Sequence, residues 1–302
     1  MVGGTRNHER SENRKTSRVG RHRAEGAAAS FTKAFATLGA LAYTGARVSA
    51  RAVDLRSGAA IIAIDDRIAL PIAGVGKILL LIEISARMTA RDEAGFGILD
   101  KTPGDAIGAS GIWQRLQAPV LPITDLAMLV GTLSDNLATN VLLRQVGLQS
   151  IRARCESLGL KATAMLDLVR SVRGPDNAPQ LSIGSTAELS ELLAALARGE
   201  VVDTATSQRV LGWLSNNADL SMVASAFGLD PLSHRSDDHQ LRVINLTGAD
   251  TGVRCEAGLI RGPRAVIAYA VTVNFDDTSL TDRLRVLDSL KVFGQDLLEF
   301  VH

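Results

Sequence analysis

The sequence predicts an α+β fold in which both ends of the chain build one antiparallel sheet and the middle forms an inserted helical lobe. Three observations predict it. Two short strand patterns follow the first helical segment, the middle of the chain has helical spacing, and three further strand patterns precede a closing helix. We expect residues 27–66 and 215–302 to form the sheet lobe and residues 67–214 the helical lobe. A cleft between two such lobes is a common place for a ligand.

Residues 1–26 precede the predicted fold. They hold seven Lys or Arg residues and three acidic ones with almost no apolar side chains, so we expect a disordered basic tail. Residues 27–46 are small and apolar but are interrupted by Lys33, which favours an amphipathic first helix over a secretion signal. The cytoplasm is therefore the expected compartment. No apolar run reaches the roughly 18 residues of a membrane span.

The remaining elements follow from hydrophobic spacing and turn residues. Residues 46–55 and 59–64 are rich in Val, Ala and Ile around an Arg-Ser-Gly turn and predict a β-hairpin. The later strands are predicted over residues 241–246, 255–260 and 265–273. Helices are predicted over residues 74–88, 126–146, 151–158, 186–198 and 280–301, with Ser185 or Thr186 capping the fourth of these. The helix over 74–88 is apolar on nearly all sides, so we expect it to be buried with its N-terminus at a cavity.

Charge and composition exclude several classes of function. Lys and Arg number 33 against 32 Asp and Glu, so no overall charge indicates a nucleic-acid partner. The two cysteines, Cys155 and Cys255, have neither C-x-x-C spacing nor a histidine cluster, so we expect two free core thiols and no metal or other cofactor. His234 and His239 lie in a polar run typical of an exposed loop rather than a metal site.

Three short segments carry a recognisable pattern. Ser134-Asp135-Asn136 opens the helical run SDNLATNVLL, and the buried helix is preceded by LPIAGVGK, which ends in a G-x-x-K spacing from Gly74 to Lys77. Leu246-Thr247-Gly248 lies on a late strand and is followed by a glycine-bearing turn. In order and context, these segments resemble the S-x-x-K, S-D-N and K-T-G motifs of class A β-lactamases, the penicillin-recognising serine enzymes. The resemblance covers nearly the whole chain and implies their three-layer fold.

The same resemblance implies that three catalytic positions of the family are changed. Gly74 stands where the family has its nucleophilic serine, and glycine has no side chain with which to attack. Leu166 to Arg170 reads LDLVR where the family has L-D-R-x-E, so Arg170 replaces the deacylating glutamate and cannot act as a base near neutral pH. Leu246 replaces the K-T-G lysine and brings no charge to the cleft.

Lys77 and Ser134 are the residual catalytic candidates. If Lys77 stays buried, desolvation lowers its pKa and makes it a usable base for the Ser134 hydroxyl, as in other Ser/Lys acyl-transfer enzymes. Alternatively, its amine reaches solvent or pairs with a carboxylate such as Asp135. The ligand-binding candidates implied by the resemblance are Gly74, Asn136, Arg170, Thr247, Gly248 and Arg254. Asn136 could equally bond backbone in its own loop, and Arg254 could be a solvated surface residue.

Three functions remain open on these residues. The favoured hypothesis is a catalytically degenerate β-lactamase-like protein that binds a β-lactam or peptide-like ligand in a binding or regulatory role. The first alternative is an active hydrolase that uses Ser134 and Lys77, which a fold resemblance alone does not exclude. The second is an interaction scaffold that makes contact through its basic tail. The sequence predicts no oligomeric state.

Overall fold

A computed structural model of the protein describes residues 1, 31–107, 110–233 and 239–302. The predicted tail beyond Met1 and the predicted exposed position of His234 therefore lie outside the described residues. His239 is described and is exposed, as predicted. Across the described parts of the chain, no helix is both long enough and apolar enough to span a bilayer.

Five antiparallel strands form the main sheet, in the order β2-β1-β10-β9-β8. Their bounds are β1 Arg47–Asp54, β2 Ala60–Ile64, β8 Arg242–Asp250, β9 Val253–Arg261 and β10 Val266–Asn274. β1 pairs with β10, with Arg47 opposite Asn274 at one end and Asp54 opposite Ile267 at the other. The predicted sheet, built from strands near both ends of the chain, is confirmed.

Helices cover both faces of this sheet. On one face lie α1 (Thr32–Tyr43) and the closing helix α8 (Leu280–Val301), whose amphipathic spacing buries Leu38 and Phe293 against the strands. On the other face lies the helical middle of the chain, made of α2 Lys77–Ala90, α3 Ile123–Leu133, α4 Asn136–Val146, α5 Leu148–Ser157, α6 Thr186–Arg198 and α7 Thr204–Leu214. The predicted α+β fold is thus confirmed, and two apolar cores lie on the two faces of the sheet.

Short strands tie the middle of the chain together. β3 (Leu70–Pro71), β7 (Ser182–Gly184) and β6 (Ala164–Met165) form one small sheet, and β4 (Ile98–Asp100) pairs with β5 (Val120–Pro122). A 3-10 turn over Ala73–Gly76 then leads from β3 into α2. These pieces fix the start of the buried helix α2 beneath the edge of the main sheet.

The single helix predicted over residues 126–146 is wrong, because the structure has two helices there. Ser134 adopts a left-handed conformation with φ 50° and ends α3, and Asp135 then caps α4. A non-glycine residue in the left-handed region cannot continue an α-helix. The break therefore places the side chains of Ser134 and Asn136 at the junction of two helices, beside the start of α2.

Asp135 holds that junction through three backbone N–H groups. Its fully buried carboxylate accepts hydrogen bonds from Ile112 N at 2.8 Å, Trp113 N at 2.9 Å and Ala138 N at 3.0 Å. A buried donor that loses its acceptor keeps its full desolvation cost. The Asp135 carboxylate therefore has a structural role at this junction.

We expect Asp135→Ala to lower the free energy of unfolding by about 2–4 kcal/mol, since it removes a helix cap and orphans buried donors. The matched control is Asp203→Ala, because the half-buried carboxylate of Asp203 caps α7 and, within the described residues, accepts from Thr206 N alone, at 2.6 Å. That variant should lose only about 1 kcal/mol. Urea unfolding measures both, and equal losses would contradict this account of the junction.

Candidate functional site

Lys77 is the first residue of α2, and its amine lies buried at the junction of α3 and α4. The side chain is only 2% exposed. Its Nζ lies 2.6 Å from Ser134 O, 3.0 Å from Ser134 Oγ and 2.8 Å from Asn136 Oδ1. The structure thus brings together both residual catalytic candidates and one of the predicted ligand-binding residues.

Burial shifts the protonation of this amine. Desolvation lowers the pKa of Lys77 from 10.5 to about 7, while the nearby charge of Asp135 acts in the opposite direction. Among the described residues, no carboxylate lies within ion-pair distance of Lys77, so the predicted alternative of a Lys77–Asp135 ion pair is not formed. Lys77 is therefore divided between its charged and neutral forms near neutral pH.

Both protonation states fit the three acceptors. An ammonium has three protons and can donate to Ser134 O, Ser134 Oγ and Asn136 Oδ1 together. A neutral amine has two protons and a lone pair, so it can donate to Ser134 O and Asn136 Oδ1 while the Ser134 hydroxyl donates to it. The second arrangement is the one that would activate a serine.

Gly74 lies where the backbone of β8 comes closest to the start of α2. A Cβ built on Gly74 would meet Ser134 Oγ at 2.9 Å and the carbonyl oxygen of Thr247 at 2.9 Å. Gly248 is packed as tightly, because a Cβ there would meet Gly74 N at 2.9 Å and would also collide with the carbonyl of Ile72. The two glycines allow the two backbones to touch and leave no room for a side chain at position 74.

The two side chains of the K-T-G-like segment lie on opposite faces of the main sheet. Leu246 is 1% exposed and belongs to the core on the helical face of the sheet. Thr247 points to the opposite face, where its hydroxyl donates to Asp219 Oδ2 at 2.7 Å. The hydroxyl of Thr247 is therefore already engaged by a carboxylate that no motif in the sequence predicts.

The backbone carbonyl of Asp219 accepts hydrogen bonds from Asn217 and Asn245, whose side chains belong to a buried polar network on this face of the sheet. Asn217 Nδ2 donates to Asn245 Oδ1 at 3.0 Å, Asn245 Nδ2 donates to Glu256 Oε1 at 3.0 Å, and the Tyr269 hydroxyl donates to the same oxygen at 2.7 Å. Burial raises the pKa of Glu256 to about 7, partly offset by the hydrogen bonds from Tyr269 and Asn245. The one available sequence signal was a glutamate inside the apolar strand pattern CEAGLI.

Arg170 forms a structural ion pair. Its Nε and Nη2 lie 2.8 and 3.0 Å from the two oxygens of Asp167, and Nη1 of Arg173 donates to the same carboxylate at 2.7 Å. These contacts hold the pKa of Asp167 below its usual value, against the effect of burial. Asn140 exchanges hydrogen bonds with both backbone groups of Val169, at 2.9 and 3.0 Å, which fixes the loop to α4. A ligand role for Arg170 stays a prediction.

Arg254 uses its guanidinium in its own turn. Its NH1 donates to the carbonyls of Asp250 and Val253, both at 2.7 Å, and the group lies 6.0 Å from the centre of the Phe275 ring. It thus braces the β8–β9 turn, and its predicted contact with a ligand carboxylate is untested. Cys155 and Cys255 are buried free thiols, as predicted. Within the described residues, no group of His, Cys, Asp and Glu is placed to hold a metal ion.

Known proteins share this architecture. A β-lactamase from Sphaerobacter thermophilus is 21% identical, with a TM-score of 0.76 over 89% of this chain and 96% of that chain. The class A β-lactamase of Mycobacterium abscessus is 20% identical, with a TM-score of 0.72 over 88% and 98% of the two chains. The protein PBP-A is 17% identical, with a TM-score of 0.69 over 84% and 89%. At these identities the likeness shows the fold alone.

Sequence comparison gives the family. No curated protein sequence matches this chain. The model of the β-lactamase enzyme family, however, matches residues 30–287, which is most of its length. The chain therefore belongs to the β-lactamase enzyme family.

Proposed function

We propose that this protein does not hydrolyse β-lactams through position 74 and that its cleft binds a lactam-like or peptide-like ligand, in a binding or regulatory role. The observation that carries the proposal is the contact around Gly74. Backbone from β8 and the Ser134 hydroxyl fill the space that a nucleophilic side chain would need. Acyl transfer at this position therefore lacks both its nucleophile and the room for one.

The residues at the two other positions that the resemblance identifies, 170 and 246, also have structural contacts and cannot assist a nucleophile. Arg170 is paired with Asp167, and Leu246 is packed in the apolar core. Placing a charge at position 246 would bury it without a partner, at high cost. The proposal of lost hydrolysis thus rests on packing at three positions.

A ligand would meet the polar groups that remain at the junction of α3 and α4. Asn136 turns its Oδ1 to Lys77, and among the described residues its Nδ2 has no acceptor. Ser134 beside it is half-buried. An amide donor beside a hydroxyl suits the carbonyl of a lactam or a peptide bond.

A second candidate function is favoured by one distance, the 3.0 Å between Lys77 Nζ and Ser134 Oγ. This is hydrogen-bond range for a base and a nucleophile. In this reaction Ser134 Oγ attacks an acyl carbon, neutral Lys77 takes the hydroxyl proton, and the protonated amine then returns that proton to the leaving group. Since the pKa of Lys77 is about 7, the neutral form is available at physiological pH.

We expect hydrolysis of a chromogenic cephalosporin to stay at background in the native protein and in Gly74→Ser. The serine Cβ would press on the Thr247 carbonyl, so the variant should also lose about 1–3 kcal/mol of unfolding free energy. Gly39→Ser is the matched control, because a Cβ at Gly39 in α1 meets nothing within 4 Å. Its stability should rise slightly, by about 0.5 kcal/mol or less. A stable Gly74→Ser variant that forms a penicilloyl adduct would contradict the packing argument.

Intact-mass analysis after incubation with a penicillin and with a fluorophosphonate separates the two candidate functions. Under the binding proposal neither reagent leaves a covalent adduct. Under the Ser134/Lys77 proposal the fluorophosphonate adds to Ser134 with loss of fluoride, and Ser134→Ala abolishes the adduct. The labelling rate should rise with pH and reach half its maximum near pH 7, because only the neutral amine accepts the proton. A flat pH profile would exclude Lys77 as the base.

A further inference from the structure

A separate cavity of about 310 Å³ opens between α7 and the main sheet. Its sheet wall includes Arg242 and Ile244 from β8, and Leu259 and Arg261 from β9. Arg242 precedes Thr247 by five residues, which is roughly 16 Å along an extended strand. The cavity therefore lies apart from the Lys77 site, toward the opposite end of β8.

Two arginines face each other at the rim of this cavity. Arg242 and Arg261 are directly opposite in the β8–β9 register, and both line the cavity. Like charges placed opposite each other on one face of a sheet destabilise it. Among the described residues, neither guanidinium has an ion-pair partner. An anion held between them would relieve this repulsion, and the planar guanidinium suits carboxylate and phosphate groups.

The floor of the cavity is apolar. Ile244 and Leu259 come from the sheet, and Leu211 comes from α7. A small inorganic anion would leave this floor exposed to water, whereas an apolar body attached to the anionic group would cover it. If each non-hydrogen atom takes the roughly 30 Å³ of a liquid water molecule, the cavity holds a body of about ten such atoms.

Gly212 gives an independent indication that this space is kept open. It lies inside α7 and lines the cavity, although glycine is less favourable than alanine in a helix interior. A Cβ built on Gly212 would meet no atom within 4 Å, and its φ is not in the left-handed region. Neither packing nor backbone conformation therefore requires a glycine here, but a larger side chain would extend toward the cavity.

We propose that this cavity binds a small amphipathic anion, with its carboxylate or phosphate between Arg242 and Arg261 and its apolar body on Ile244, Leu259 and Leu211. The proposal is independent of the function of the Lys77 site. Binding should need both the anionic head group and the apolar body of the ligand. A neutral or a cationic analogue should therefore bind more weakly than the anion.

Isothermal titration of the full-length protein with decanoate and decyl phosphate tests this, with decanol and decylamine as the neutral and cationic probes. We expect one anion to bind per chain, and decanol and decylamine to bind at least about tenfold more weakly, because a hydrogen-bonded charge contributes that much. Decanoate and decyl phosphate together show which head group is preferred. Decanol binding as tightly as decanoate, or several molecules binding per chain, would overturn the proposal.

Two variants locate the binding site. Gly212→Leu adds a bulky apolar side chain to the cavity lining at a position where a Cβ meets no atom within 4 Å, and Arg242→Gln with Arg261→Gln removes the charges. Each should weaken decanoate binding at least about tenfold. Both should stay folded, since the first improves helix propensity and the second removes a repulsion. Arg264→Gln is the control, because this exposed arginine lies in the nearby β9–β10 turn outside the cavity lining.

Thermal melting of each variant excludes loss of fold as the cause of weaker binding. Undiminished binding in Gly212→Leu, or an equal loss in Arg264→Gln, would place the anion elsewhere and refute the proposal. No anion binding, together with a concentration-dependent dimer that Gly212→Leu abolishes, would show that a second copy of the chain occupies the cavity. That outcome would also refute it.

Discussion

The burial of the Lys77 amine is the interaction on which the site depends. Shifting the pKa of Lys77 from 10.5 to about 7 corresponds to roughly 5 kcal/mol against the charged form. Between about pH 7 and pH 10.5, Lys77 is protonated in the unfolded chain but neutral in the folded chain. Burial of this amine therefore makes the free energy of unfolding increase with pH over that range. Below pH 7 the folded protein bears the full cost of the buried charge, which the hydrogen bonds that Lys77 donates to Ser134 and Asn136 limit.

The close approach of β8 to the start of α2 links positions 74, 246 and 248 to one another. Because Gly74 and Gly248 have no Cβ, the strand backbone can rest against the 3-10 turn that leads into α2. Strand alternation then places Leu246 in the core and Thr247 on the opposite face, next to Asp219. A glycine at position 74 and an apolar residue at position 246 are thus compatible parts of one packing arrangement.

The sequence predicted elements with strong periodicity and failed where the signal was short or local. The helices over 186–198 and 280–301 agree with the structure at both ends. The break at Ser134 was missed because apolar spacing continues through it, and α7 was missed because its Thr, Ser and Gly residues have weak helix propensity. The motif resemblance predicted that Lys77 and Ser134 act together. It could not predict the Glu256 network, because that network depends on contacts between residues distant in sequence.

The S-D-N motif and Lys77 have a physical role in this chain that does not require catalysis. A buried amine needs acceptors, and replacing Ser134 or Asn136 with an apolar residue would leave Lys77 short of them at a cost of several kcal/mol. Gly74, Arg170 and Leu246 accept no hydrogen bond from Lys77, so the buried amine does not require these residue types. The presence of Ser134, Asn136 and Lys77 in these motifs is therefore explained by the hydrogen bonds that the buried amine needs. Reaction at Ser134 would require the neutral form of that amine, because only a neutral Lys77 can accept the proton of the hydroxyl 3.0 Å away.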